Sequence, residues 1–139
     1  MVPVNYLAII ASTILMMILG YAWYGPIFGS HWSAAMGFTH EHHAANKKGA
    51  KTRYLIMTLG AFLMSFILAH AIIFAESFMQ VSGAFAGMLV GVMNWLGFIV
   101  PVSLSVVLWD NKPWKLWFIN AGYYLVGLVI IGAVLGLWA

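Results

Sequence analysis

The chain reads as four long apolar stretches divided by short polar interruptions. A bilayer hydrocarbon core about 30 Å thick needs roughly 20 apolar residues at 1.5 Å of helix each. Four stretches meet that length, at about residues 4–24, 54–75, 84–108 and 116–138. The first is expected to stop at Gly25-Pro26, because proline disfavours helix in the residue before it. Arg53 and Glu76 bracket the second, and Asp110-Asn111-Lys112-Pro113 closes the third. No Lys or Arg precedes the first stretch and no small-residue cleavage site follows it, so it reads as a retained helix rather than a signal peptide. The predicted fold is all-α: a polytopic four-transmembrane-helix bundle forming one transmembrane domain over residues 1–139.

Composition supports this reading and charge orients it. The chain is 64% hydrophobic and only 6% charged, against about a quarter charged in soluble domains. A net charge of +3 would suggest nucleic acid if position were ignored. Position argues otherwise, because every basic residue lies in two connections. Lys47, Lys48, Lys51 and Arg53 fall in the loop at about 25–53, and Lys112 and Lys115 in the loop at about 109–115. The opposite side, with both termini and the turn near residues 76–83, carries none. The positive-inside rule then predicts cytoplasmic loops and outside termini, in a multi-pass protein of the cell membrane. Trp23, Tyr24, Tyr54, Trp109, Trp114 and Trp117 gather at the predicted cytoplasmic boundary as interfacial anchors, and Tyr6 and Trp138 at the other. Cysteine is absent, which removes disulfides, thiolate metal sites and a cysteine nucleophile.

The long loop has structure of its own. Phe28, Trp32 and Met36 recur at helical spacing, giving one apolar stripe for a short interfacial helix that Gly37 would end. Thr39 as N-cap, Glu41 in the first turn, Lys47 and Lys48 in the last and Gly49 as stop predict a second short helix over residues 40–48. His40, His42 and His43 lie there. Imidazole clusters bind transition metals, and His40 and His43 would share a helix face. Two imidazoles without a third ligand bind weakly, so a solvated polar loop is the stronger reading.

Two motifs carry a resemblance. Asn5-Tyr6-Leu7-Ala8, the run from Gly20 through Trp23-Tyr24-Gly25-Pro26, then Phe28-Gly29 and Trp32, resemble the bacterial DUF1761 family of unknown function. The segment Phe118-Ile119-Asn120-Ala121-Gly122-Tyr123-Tyr124-Leu125, leading to Gly132-Ala133-Val134-Leu135, is similar to that family's C-terminal signature. The resemblance covers nearly the whole chain and implies a small polytopic membrane protein without assigned activity. Relatives tend to be acidic where this chain has His40, His42 and His43, which argues against a metal role common to the family.

Polar groups in hydrocarbon are costly unless paired, so those inside the spans should face protein or water. Thr13, Ser65, Asn94 and Tyr123 fall near mid-bilayer on the four helices, with His70 and Asn120 the further candidates for a polar path. Small residues predict how helices approach. Ala61, Ser65 and Ala69 form one ridge on the second span, and Gly83, Gly87 and Gly91 another on the third. The expectation is that these two ridges meet, with Asn94 bonding to Ser65. Gly132 and Gly136 then offer a third small face for a neighbouring subunit. Pro101 should kink the third span by freeing the Gly97 carbonyl. His70 is expected to pair with a neighbouring helix, and Asn5-Tyr6-Leu7 with Asn94-Trp95-Leu96 hints weakly at a duplicated unit.

Three functions compete on these residues. A non-enzymatic structural or accessory protein, forming homo-oligomers or serving a larger membrane partner, fits the small-residue faces and the lack of a nucleophile, paired carboxylates or any cofactor motif. A small oligomeric channel or transporter would use the midplane polar residues. A metal role would rest on His40 and His43. Membrane lipids are partners in every case, with no place for nucleic acid.

Overall fold

A computed structural model describes residues 3–39, 41–42, 45 and 49–138, with Met79 described in its backbone alone. Among the described residues four helices are long and apolar enough to cross a membrane: Tyr6–Ile27, Ala50–Phe78, Gly83–Leu108 and Trp114–Leu137, spans one to four. Within them lie α1 (Tyr6–Ala22) and a π-turn (Trp23–Ile27), then α3 (Ala50–Met79), then α4 (Gly83–Asn94), a second π-turn (Trp95–Ile99), α5 (Val100–Ser103) and α6 (Ser105–Leu108), and finally α7 (Trp114–Leu137). A short helix, α2 (Gly29–Met36), follows span one. The bundle thus has a basic end, holding both basic connections, and a terminal end.

Local chemistry sets the ends. Asn5 caps α1, its Oδ1 accepting from the backbone N–H of Leu7 at 3.0 Å and Ala8 at 3.2 Å, which satisfies two of the donors a helix start leaves open. At the turn between spans two and three, Glu76 Oε1 accepts from the Gly83 N–H at 2.9 Å. That turn needs left-handed backbone at Gln80 (φ 53°) and Gly83 (φ 73°), a conformation glycine adopts without strain. The stripe in the long loop forms the expected helix: α2 stops at Gly37, whose φ of 74° closes it from the left-handed region. The expected second helix at 40–48 lies largely outside the described residues.

Span one does not stop at Gly25-Pro26. Proline lacks the N–H that an α-turn would use, but the chain widens by one residue instead of breaking: the Phe28 N–H donates to the Trp23 carbonyl at 2.8 Å, five residues back. Helix therefore continues to Ile27 with Pro26 inside the π-turn. Span three answers Pro101 in the same way, with the Val100 N–H donating to the Trp95 carbonyl at the end of its π-turn. Gly29 belongs to the first device. A Cβ there would sit 2.6 Å from the Tyr24 carbonyl oxygen, so the turn closes only over glycine.

Spans three and four make the most extensive contact, spans one and two the next, and span four also packs on span one. Span four is the most buried, 44% of its membrane window against 11% for span three. The close contact corrects one expectation. The ridge Gly83, Gly87 and Gly91 meets span four, not span two: Cβ atoms at Gly87 and Gly91 would run into the carbonyls of Gly132 and Leu128, and one at Gly136 into that of Gly83. Gly132 and Gly136 are consequently spent inside the chain and present no small face to a neighbouring subunit. The physical reason is that two glycine ridges can touch backbone to backbone, whereas Ala61, Ser65 and Ala69 keep their side chains and hold the helix further off. The alanine and serine ridge instead turns to span one. Ala8 and Ala69 line one small cavity at the terminal end, and Gly20 and Met57 another nearer the basic end. In that antiparallel register Ser12 stands level with Ser65.

Candidate functional site at the basic end

The residues that tie span four to the bundle from its basic end to mid-span come from spans one and three. Trp23, the first residue of the π-turn, donates its indole Nε1–H to the Ile119 carbonyl at 2.9 Å, across 96 residues of sequence. Its neighbour Tyr24 donates its hydroxyl to Asn120 Oδ1 at 3.0 Å. Trp95, the first residue of the other π-turn, donates Nε1–H to the Ala121 carbonyl at 2.7 Å. Tyr123 donates its hydroxyl to the Met16 carbonyl at 3.2 Å. A helical carbonyl has a second lone pair beyond its intrahelical bond, so α7 can accept these indoles without losing a turn.

Packing of the rings fixes these bonds in place. Tyr24 lies 5.3 Å from Tyr123 and 5.5 Å from Trp32 of α2, ring centre to ring centre, and Trp23 lies 6.4 Å from Tyr123. Trp32 in turn meets Phe38 edge-on at 5.3 Å, and His42 stacks on Phe38 at 5.4 Å. Edge-on and offset contacts of this kind each contribute about 0.5–1.5 kcal/mol beyond burial. Gly20 leaves room for the Tyr123 hydroxyl and Gly122 for the Trp23 ring. The two family-like motifs of the sequence are thus the two halves of one lock.

Two grooves flank it. One, about 340 Å³, lies between spans one and two and is lined by Gly20, Tyr21, Tyr24, Pro26, Tyr54 and Met57 among others. The other, about 670 Å³, separates Trp23, Phe28 and His31 from the first two turns of α7, where Trp114, Lys115, Phe118 and Gly122 line it.

The six residues expected along a polar path divide. Asn120 and Tyr123 belong to the lock. Thr13 Oγ1 donates to the Ile9 carbonyl at 2.8 Å and His70 Nδ1 to the Phe66 carbonyl at 2.8 Å, each back into its own helix. His70 thus turns to its own helix rather than to the neighbouring helix expected. Asn94 Nδ2 donates to Val90 at 2.9 Å, not to Ser65, because the glycine ridge carries its helix onto span four. It lines an apolar cavity of about 130 Å³ with Met64 and Leu68 of span two. Ser65 is fully buried and its hydroxyl has no partner among the described residues; the same holds for Ser12. Sequence reading overlooked Ser12, although its spacing from Ala8 repeats the small-residue signal recognised on span two. It also overlooked Trp95, whose depth inside a span marks it as more than an interfacial anchor. His40 and His43, the candidate metal ligands, lie outside the described residues.

Four apolar helices with an aromatic, hydrogen-bonded contact at one end define a multi-pass helical membrane protein. The chain belongs to the family described as protein of unknown function DUF1761, whose profile matches residues 7–136. No curated protein and no solved structure matches it.

Proposed function

We propose that the chain is a non-enzymatic accessory protein of the cell membrane, a stiff bundle that serves a larger membrane partner or another copy of itself through its basic end. The observation behind this is the lock: side chains of spans one and three are bonded to span four between that end and mid-span, and α2 and Phe38 are stacked onto the same cluster of rings. Such an arrangement supplies a fixed surface rather than moving parts or reacting groups. Gly132 and Gly136 are engaged within the chain, so a partner would be met by α2 and the loop. Native mass spectrometry of the purified protein tests this. The expected result is a defined oligomer or a stoichiometric membrane partner, lost in Trp32→Ala without loss of helix content. A lone monomer under gentle extraction would contradict it.

In this reading the basic loops are cytoplasmic and the termini outside. The absence of cysteine makes the test clean. A membrane-impermeant maleimide should label Ser82→Cys in intact cells and Lys112→Cys only after lysis, and the reverse pattern would invert the topology.

A second reading, a small oligomeric channel or transporter, draws on the buried unpartnered hydroxyls of Ser12 and Ser65. A buried hydroxyl without a bond costs about 1–3 kcal/mol, which a passing water or solute would relieve. Proteoliposome flux that falls in the double variant Ser12→Ala, Ser65→Ala would favour it, and unchanged or absent flux would count against it.

A further inference from the structure

The larger groove has a polarity that its two walls set independently. One wall comes from the first π-turn and α2, the other from the first two turns of α7. At its deep end Gly122 and Ile119 form the floor, with Trp23 pinned beside them by its bond to the Ile119 carbonyl. From Gly122 to Lys115 the groove follows about two turns of helix, on the order of 10 Å along the axis. Aromatic rings wall it along that length: Trp23 and Phe28, 4.7 Å apart, face Trp114 and Phe118, 6.4 Å apart. At the mouth, level with the basic loops, stand Lys115 and His31, both exposed. Lys115 has no hydrogen bond or ion pair among the described residues, whereas Lys112 Nζ, in the connection before α7, is turned to the Met36 carbonyl at 3.4 Å.

A slot that is apolar at depth and cationic where the bilayer meets water has the polarity of one ligand class. Zwitterionic headgroups gain little from a lone ammonium, whereas each Lys near an anionic headgroup contributes about 1 kcal/mol. A soluble anion would use Lys115 and leave the aromatic walls empty. We propose that this groove is a binding site for an anionic phospholipid, with an acyl chain lying between Trp23, Phe28 and Phe118 and the phosphate held by Lys115 with His31 at its side. The Trp114 indole, at the same level, supplies a further donor of the kind that anchors headgroups.

The test is native mass spectrometry of the full chain released from mixed micelles containing phosphatidylglycerol and phosphatidylethanolamine in equal amount. Wild type should retain one phosphatidylglycerol in preference to phosphatidylethanolamine. Lys115→Gln should weaken that retention about fivefold, the equivalent of one headgroup contact, while Lys112→Gln, off the groove, leaves it unchanged. Phe118→Ala, at an exposed ring on the apolar wall, should weaken both lipids together. Equal retention of the two lipids, or equal loss in Lys112→Gln, would overturn the site in favour of diffuse surface charge. Retention of a free fatty acid in place of the phospholipid, read directly from the mass increment, would overturn the proposed ligand. A thermal melt of each variant in the same detergent checks that a loss does not come from unfolding.

Discussion

The two ends of the bundle are held by different physics. At the terminal end, spans three and four touch backbone to backbone over Gly83, Gly87, Gly132 and Gly136, with no side chain between them. From the basic end to mid-span, bulky side chains fill the gap, and their polar tips bond across it: Trp23 and Tyr24 nearer that end, and Trp95 and Tyr123 deeper, each reach another helix. Lipid tails are as apolar as the helices, so burial drives association weakly in a membrane and contact area and hydrogen bonds carry more of it. The glycine end relies on the first and the aromatic end on the second. Backbone contact tolerates no added atom. A hydrogen-bonded contact loses one bond at a time and keeps its packing.

The largest expected effect follows at the glycine end. Gly87→Leu should separate spans three and four and destabilise the fold by about 3 kcal/mol or more, because what the new side chain meets is the Gly132 carbonyl and not a flexible side chain. A thermal melt in detergent reads this. Gly60→Leu, with nothing within 4 Å of its Cβ position, should leave the melt almost unchanged.

Next comes Gly29→Ala, where a Cβ meets the Tyr24 carbonyl. Widening the π-turn should cost about 1–3 kcal/mol and move Tyr24 off Asn120, so the variant should also lose the Tyr24 to Asn120 coupling described below. A full melt with coupling intact would show that the turn does not position the lock.

At the small end of the scale are the serines. Ser12→Ala and Ser65→Ala should be neutral or slightly stabilising, since each removes a buried hydroxyl that has no partner among the described residues. Ser65→Ala combined with Asn94→Ala should show no coupling in a double-mutant cycle. A coupling above about 0.5 kcal/mol would restore the bond that the sequence suggested and the fold does not make.

What the sequence made legible follows from the reach of its signals. Span length is a property of consecutive residues, so all four helices were found to within a few positions. A small-residue ridge declares that something approaches closely but does not name the partner, and adjacency in the chain pointed Gly87 at span two when it packs on span four. Pro26 signalled a stop and Pro101 a kink, because a missing N–H is a local fact. Whether the chain breaks or widens by one residue depends on neighbours that hold the turn, here Trp23 and Trp95. The lock itself was present in the sequence as two motifs far apart, and nothing short of the fold joins Tyr24 to Asn120.

The central claim is that those motifs form one energetic unit, and a double-mutant cycle tests it most directly. Tyr24→Phe and Asn120→Ala should each destabilise the protein by about 1 kcal/mol, with the double variant losing less than the sum by about 0.6–1 kcal/mol. Strictly additive losses would mean that Tyr24 and Asn120 act independently and that the basic end is not locked.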